Sequence, residues 1–179
     1  SLTLSGANTY DGGTALQAGV IKLGSSSVGA ITSGPLGAGS LVVSSGAALD
    51  LNGQSVANVM SVAGTGVSQS GVVYNTHATA VGTATGAVTL TADSAFKSEQ
   101  GMGLQFGSTV TGGYALTVTG ANNSFTSSTP FLNTGALSLG AASTDSFSFP
   151  NGATVTAPSS INMAGTLQSS NAGLSLGDA

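Results

Sequence analysis

His77 is the one histidine of the chain, so any Ser-His-Asp hydrolase chemistry would have to run through it. Serines are plentiful and Asp93 lies sixteen residues downstream. No Gly-x-Ser-x-Gly elbow accompanies them to present a serine as nucleophile. His77 therefore reads as a surface or loop histidine. The acids Asp11, Asp50, Asp93, Glu99, Asp145 and Asp178 are scattered. Polysaccharide chemistry needs carboxylates paired about the scissile bond, often beside a cation. Asp93 and Glu99 flank Lys97 and are the only acids near enough in sequence to share one loop. A calcium site wants three or more clustered oxygens, and the Gly-Gly-x-Gly-x-Asp nonapeptide series is missing. Zero cysteines excludes thiolate metal sites and a disulfide framework.

Weaker patterns remain. Gly101-x-Gly103 has no helix after it whose N-terminus could hold a pyrophosphate, so it reads as a turn. Asn122-Asn123-Ser124 is formally a glycosylation acceptor but reads as a corner with stacked asparagines. Five Thr-x-Thr triplets (Thr83–Thr85, Thr89–Thr91, Thr109–Thr111, Thr117–Thr119, Thr154–Thr156) would present rows of hydroxyls and methyls, as ice-binding solenoids do. Their start-to-start gaps are 6, 20, 8 and 37, which is no fixed interval, and threonine favours strands in any case. Phe96, Phe106, Tyr114, Phe125, Phe131, Phe147 and Phe149 lie in the second half and read mainly as core fillers. Phe147 and Phe149 share one face of a strand, which leaves open an exposed pair for sugar stacking.

These residues must be held by short strands. Only 4% of residues are charged, 40% are apolar, and arginine is absent. Disordered chains show the reverse balance, so a folded chain is expected. Lys22 and Lys97 cannot make the basic cluster that phosphate backbones or anionic lipid require. No run approaches the roughly 18 apolar residues of a membrane helix, and three tyrosines cannot furnish barrel girdles. At 179 residues the chain is one domain or part of one.

Alternating apolar segments of three to eight residues recur between glycines and asparagines: 2–4, 16–23, 41–43, 47–51, 56–62, 71–74, 87–91, 104–110, 115–119, 131–139, 146–149, 153–156, 161–167 and 174–176. No stretch keeps helical spacing. Hairpin-type Asn-Gly pairs occur only at Asn52-Gly53 and Asn151-Gly152. Short strands, few hairpin turns and low charge favour a solenoid over a sandwich or barrel. About eight rungs of roughly 20–25 residues are expected, in a rod roughly 40 Å long. Residues 64–86 are small and polar and are expected to leave the coil or stack weakly. Residues 93–103 hold three of the eight charges and are expected to form an excursion.

The opening segment carries more. Leu2 and Leu4, Ser5-Gly6-Ala7-Asn8-Thr9-Tyr10, Gly12-Gly13-Thr14, Ala18-Gly19 and Leu23-Gly24 resemble the autotransporter-associated β-strand repeat of secreted passenger regions in Gram-negative surface proteins. Gly34-Pro35-Leu36-Gly37, Leu41-Val42-Val43 and Gly46 through Gln54 continue in that family's style, so the resemblance covers residues 2–54. A partial copy, Leu116-Thr-Val118-Thr-Gly120-Ala121-Asn122-Asn123, returns at 116–123. The resemblance implies a right-handed parallel β-helix, surface export, and a signal and membrane anchor outside these residues.

The expectation is thus an all-β parallel solenoid over residues 1–179, a structural and adhesive rod segment at the bacterial surface or in the medium. Its partners would be a host receptor, a glycan or another copy of itself. No catalytic, cofactor-binding or metal-binding residue is assigned. A β-helical polysaccharide enzyme would instead require Asp93, Glu99 and Lys97 to share a groove. An ice binder would require the threonine pairs to stack in one flat array.

Overall fold

Two-residue alternation turns each short segment into a strand with one buried and one open side, and such a strand is stable only when stacked on its like. The computed structural model describes residues 1–27, 31–170 and 172–177, and it is a parallel β-solenoid of about eight turns. Among the described residues every pairing between strands is parallel, and one isolated antiparallel bridge joins Asn8 and Gly34. Among the described residues the one helical piece is the short, irregular 3-10 turn Val67–Gln69, and no helix is long and apolar enough to cross a membrane.

Three faces recur in fixed order along the chain. The first face stacks Leu2–Leu4, Gly19–Leu23, Ala47–Asp50, Val73–Asn75, the second half of Val88–Ser98, Leu116–Thr119, Leu137–Leu139 and Ile161–Met163. The second stacks Ser55–Val56, Gly82–Ala84, Leu104–Phe106, Asn123–Phe125, Ser146–Phe149 and Thr166–Ser169. The third stacks Thr14–Leu16, Leu41–Val43, Met60–Gly64, the first half of Val88–Ser98, Val110–Gly112 and Phe131–Asn133. Ala153–Val155 and Leu174–Leu176 pair with each other at the corresponding place in the last turns.

Register shows why the period is hard to see. On the first face Leu2, Ile21, Leu49, Val73, Phe96, Val118, Leu139 and Met163 lie in one column. The intervals between them are 19, 28, 24, 23, 22, 21 and 24 residues. The interior members of the column are buried, while the end members Leu2 and Met163 are 57% and 50% exposed because each is covered from one side only. The two copies of the Leu-Thr-(Leu/Val) strand, at Leu2 and at Leu116, both fall on the first face. Inside, Phe106 and Phe125 stack at 5.3 Å and Phe125 and Phe149 at 5.7 Å, and Phe96 lies 4.9 Å from Phe106.

Several expected segments divide. Residues 16–23, 56–62, 104–110, 131–139 and 161–167 each contain a corner between two strands, not one strand. Corners need only a few residues because a buried asparagine replaces backbone partners. Asn58, for example, donates to the Gly37 and Gly39 carbonyls at 3.2 and 2.6 Å.

The two expected excursions are narrower than the sequence suggests. Residues 64–86 include the strands Val73–Asn75 and Gly82–Ala84, so two parts of the segment form sides of the coil. Its small residues mark close stacking: a Cβ on Gly82 would sit 2.7 Å from the Leu51 Cβ. Residues 93–98 continue the eleven-residue strand Val88–Ser98, and only 99–103 make a corner. Ser94, Phe96 and Ser98 point inward there, so Asp93 and Lys97 occupy outward positions of the strand and Glu99 follows it at the corner. Asn122 and Asn123 do form a corner, with Asn122 Nδ2 donating to the Gly101 carbonyl at 2.6 Å and Asn123 fully buried. Next to it the backbone at Asn122 runs so close to Gly103 that a Cβ there would collide with the Asn122 carbonyl oxygen.

Candidate functional site

Outward positions on the first face also stack. Thr3, Lys22, Asp50, Tyr74, Lys97 and Thr119 form one column, which therefore holds both lysines of the chain. Lys22 Nζ lies 3.7 Å from Asp50 Oδ2. The Asp50 carboxylate is buried and also accepts from Thr76 Oγ1 at 2.6 Å, Asn52 N–H at 2.9 Å and Thr76 N–H at 3.2 Å. A buried charge held by three hydrogen-bond donors and faced by one ammonium is a structural clamp between adjacent coils. Tyr74, 8% exposed, is pushed up to about 12, first by its burial and then by the negative charges of Asp50 and Glu99. Lys97 Nζ is 3.4 Å from Glu99 Oε1, and both side chains meet water, so this pair is weak.

Beside Lys97 the chain leaves the coil after all, over a shorter stretch than expected. The third-face interval from Met60 to Val88 is 28 residues, longer than the 22 that follow to Val110, and the surplus emerges at Thr65–Gly71. Gly71 N–H donates to the Thr65 carbonyl at 2.9 Å, and Ser70 N–H to Val67 at 3.0 Å. Gly66, Ser68 and Gln69 take positive φ to close the loop. The loop stands over the first face and leaves a groove of about 310 Å³. Thr65, Gln69 and Gly71 line its loop side, and Ala95, Lys97, Thr117 and Thr119 line the sheet side. Two other recesses, beside Gly13 and beside Asn122, hold about 130 and 60 Å³.

The residues nominated from sequence are mostly dispersed. His77 sits at a corner, where its Nδ1 accepts from Thr79 N–H at 3.2 Å, and none of its hydrogen bonds among the described residues goes to an acid. Asp93 accepts from Ala115 N–H at 2.9 Å. Neither Asp93 nor Glu99 lines the groove that takes Lys97. The six residue steps of mostly extended backbone from Asp93 to Glu99 span roughly 20 Å, well beyond the roughly 5–10 Å between glycosidase carboxylates. Asp145 accepts from Gly120, Ala141 and Ala142 N–H groups at 3.0, 2.7 and 3.2 Å, a structural role. Asp11 is exposed, and Asp178 lies outside the described residues. No three His, Asp or Glu side chains converge among the described residues.

Two alternatives that the sequence left open do not fit the structure. Phe147 and Phe149 are 1% and 0% exposed, so they offer no surface for sugar stacking. The Thr-x-Thr pairs divide among all three faces: Thr83 on the second, Thr89 and Thr111 on the third, Thr117 and Thr119 on the first. Only Thr89 and Thr111 meet, with hydroxyls 3.4 Å apart, and a flat threonine array of the ice-binding kind is absent from the described residues.

The groove itself was missed. Thr117–Thr119 and Lys97 had each stood out in the sequence, but only the 22-residue register brings them side by side. Comparison of the chain with known protein families, with curated proteins and with solved structures finds no match.

Proposed function

We propose that the chain is a rod segment displayed on a bacterial surface or secreted from it, acting by attachment and not by catalysis. Attachment would be to a host cell, to another surface or to a second copy. In this reading it is a passenger segment of the autotransporter-associated repeat type. The reading is supported by the resemblance over residues 2–54, together with the solenoid fold that the described residues among them adopt.

The observation that carries it is the outer ladder of the second face. Ser55, Thr83, Gln105, Ser124, Ser148 and Gln168 stack in register, a charge-free row of hydroxyls and amides on a stiff support. Backbone hydrogen bonds along the stack hold that row at roughly 4.8 Å spacing, so weak polar contacts add along it. Low charge leaves little repulsion between copies.

The test is to coat beads with the purified chain and measure adhesion to host cells and to plain surfaces, beside sedimentation for self-aggregation. Adhesion or aggregation that falls when Gln105 and Ser124 are both changed to lysine supports the reading. No attachment of any kind, or depolymerisation of a polysaccharide panel, would refute it.

A further inference from the structure

The groove beside Lys97 has a chemistry of its own. Its polar lining is three threonine hydroxyls, one glutamine amide and one ammonium. Each hydroxyl and the amide can both donate and accept, which suits ligand groups that do the same. The methyl groups of Ala95 and the threonines lie between them and suit aliphatic C–H surface. Thr117 and Thr119 are two residues apart on one strand, about 6.6 Å, and Lys97 lies one strand away from Thr119, about 4.8 Å. Those separations match the breadth of a single pyranose ring with groups on both sides.

Other ligand classes fit less well. An extended peptide adds to an open sheet edge, whereas the backbone beneath this groove is already paired on both sides. A polyphosphate or a heavily sulfated chain needs several cations, and the groove has one in a chain of net charge −4.

The ammonium decides which saccharide. Lys97 is held by Glu99 at 3.4 Å, but Glu99 stays outside the groove. A solvent-exposed pair of this kind contributes little, so a carboxylate entering the groove can take the ammonium at small cost. We propose that this groove binds one saccharide unit bearing a carboxylate, a uronic acid residue of a glycan. The carboxylate pairs with Lys97, and the ring hydroxyls bond Thr117, Thr119 and Gln69. The inference deepens the attachment reading by naming one ligand class, and it rests on that reading for its biological purpose alone. A single unit should bind weakly, with Kd on the order of millimolar.

The experiment titrates the whole chain by NMR with methyl glucuronide and methyl galacturonide, and with methyl glucoside, methyl galactoside and acetate. Uronide shifts should centre on residues 65–71, 95–97 and 117–119, with the neutral sugars and acetate at least tenfold weaker. Lys97→Gln should remove that preference, and Thr117→Val with Thr119→Val should weaken all sugars. Glu99→Gln should tighten uronide binding several-fold by freeing the ammonium, an effect that mere loss of structure would not produce. Circular dichroism of each variant checks the fold, and Glu99→Gln, at the exposed corner, keeps the test decisive if the threonine variant unfolds. The proposal is overturned if acetate binds as well as the uronides, if neutral sugars bind as well and Lys97→Gln changes nothing, or if no ligand shifts the groove. Adhesion to cells without uronide binding sinks this inference and leaves the attachment reading standing. Uronide binding at the groove by a chain that adheres to nothing does the reverse.

Discussion

Replacing Phe125 tests whether stability is held rung by rung. Its ring is fully buried, lying 5.3 Å from Phe106 at 9° and 5.7 Å from Phe149 at 18°, with Phe131 tilted against it at 4.6 Å. Phe125→Ala removes the ring from water-free packing and leaves a cavity that neighbouring rungs cannot close. The cost expected for such a change is about 3–5 kcal/mol, and the three aromatic contacts place it at the upper end. Phe125→Leu keeps most of the buried area and loses mainly the aromatic terms, so it should cost about 2 kcal/mol. Urea unfolding followed by circular dichroism ranks the two. Hydrogen exchange then locates the loss. In a stack where each turn touches only its neighbours, protection should fall at Leu104–Phe106, Asn123–Phe125 and Ser146–Phe149 and persist at Leu41–Val43. A Phe125→Ala cost below about 1 kcal/mol, or an equal loss of protection at Leu41–Val43, would refute the reasoning.

Three other outcomes are expected. Tyr74 should titrate near 12 in a 295 nm alkaline scan. Because its folded-state value is raised above 10, its contribution is intact below pH 10 and is lost as pH rises from 10 to 12. The loss is at most about 3 kcal/mol at roughly 1.4 kcal/mol per unit, less whatever water screens, and Tyr74→Phe should abolish that part of the pH dependence. Asn75 accepts from Gly53 and His77 N–H groups and donates to the Ala80, Met102 and Gly103 carbonyls, while Asn133 Oδ1 has no partner among the described residues. Asn75→Leu should therefore cost roughly 3 kcal/mol or more in thermal unfolding and Asn133→Leu clearly less; equal costs would contradict this. Gly103→Ala should lower the melting temperature by at least about 5 °C, since its methyl would meet backbone that cannot retreat; an unchanged melting curve would show that the coils can separate there.

The solenoid was legible because alternation, small residues and scarce charge all describe strands that stack on one another. The turn count followed, since it depends only on mean coil length. Strand limits were not legible where a corner is cut in two or three residues, as between Val56 and Met60, because the apolar pattern runs on through the bend. Composition also misled in a definite way. Gly82 looks like loop and is a strand residue pressed on Leu51, and Asp93 and Lys97 look like an excursion and are outward residues of an alternating strand. In both places the side chain reports how near the next coil lies or whether water is present, not whether the backbone is regular.

The groove was illegible for a different reason. Its two sides, residues 65–71 and 95–119, meet through coil register, and coil length varies from 19 to 28 residues along the first face. A core built from columns tolerates this variation, since each column needs only an apolar residue at the right height and the surplus can leave at a corner. The Met60–Val88 interval shows the consequence: its extra residues emerge as the Thr65–Gly71 loop, above the column that carries both lysines. A rod whose turns were all one length would have no such loop and no recess of this size beside Lys97. Irregularity in the repeat is therefore the physical origin of the candidate site, and deleting Val67–Ser70 should erase uronide binding while leaving the stacked strands on both sides intact.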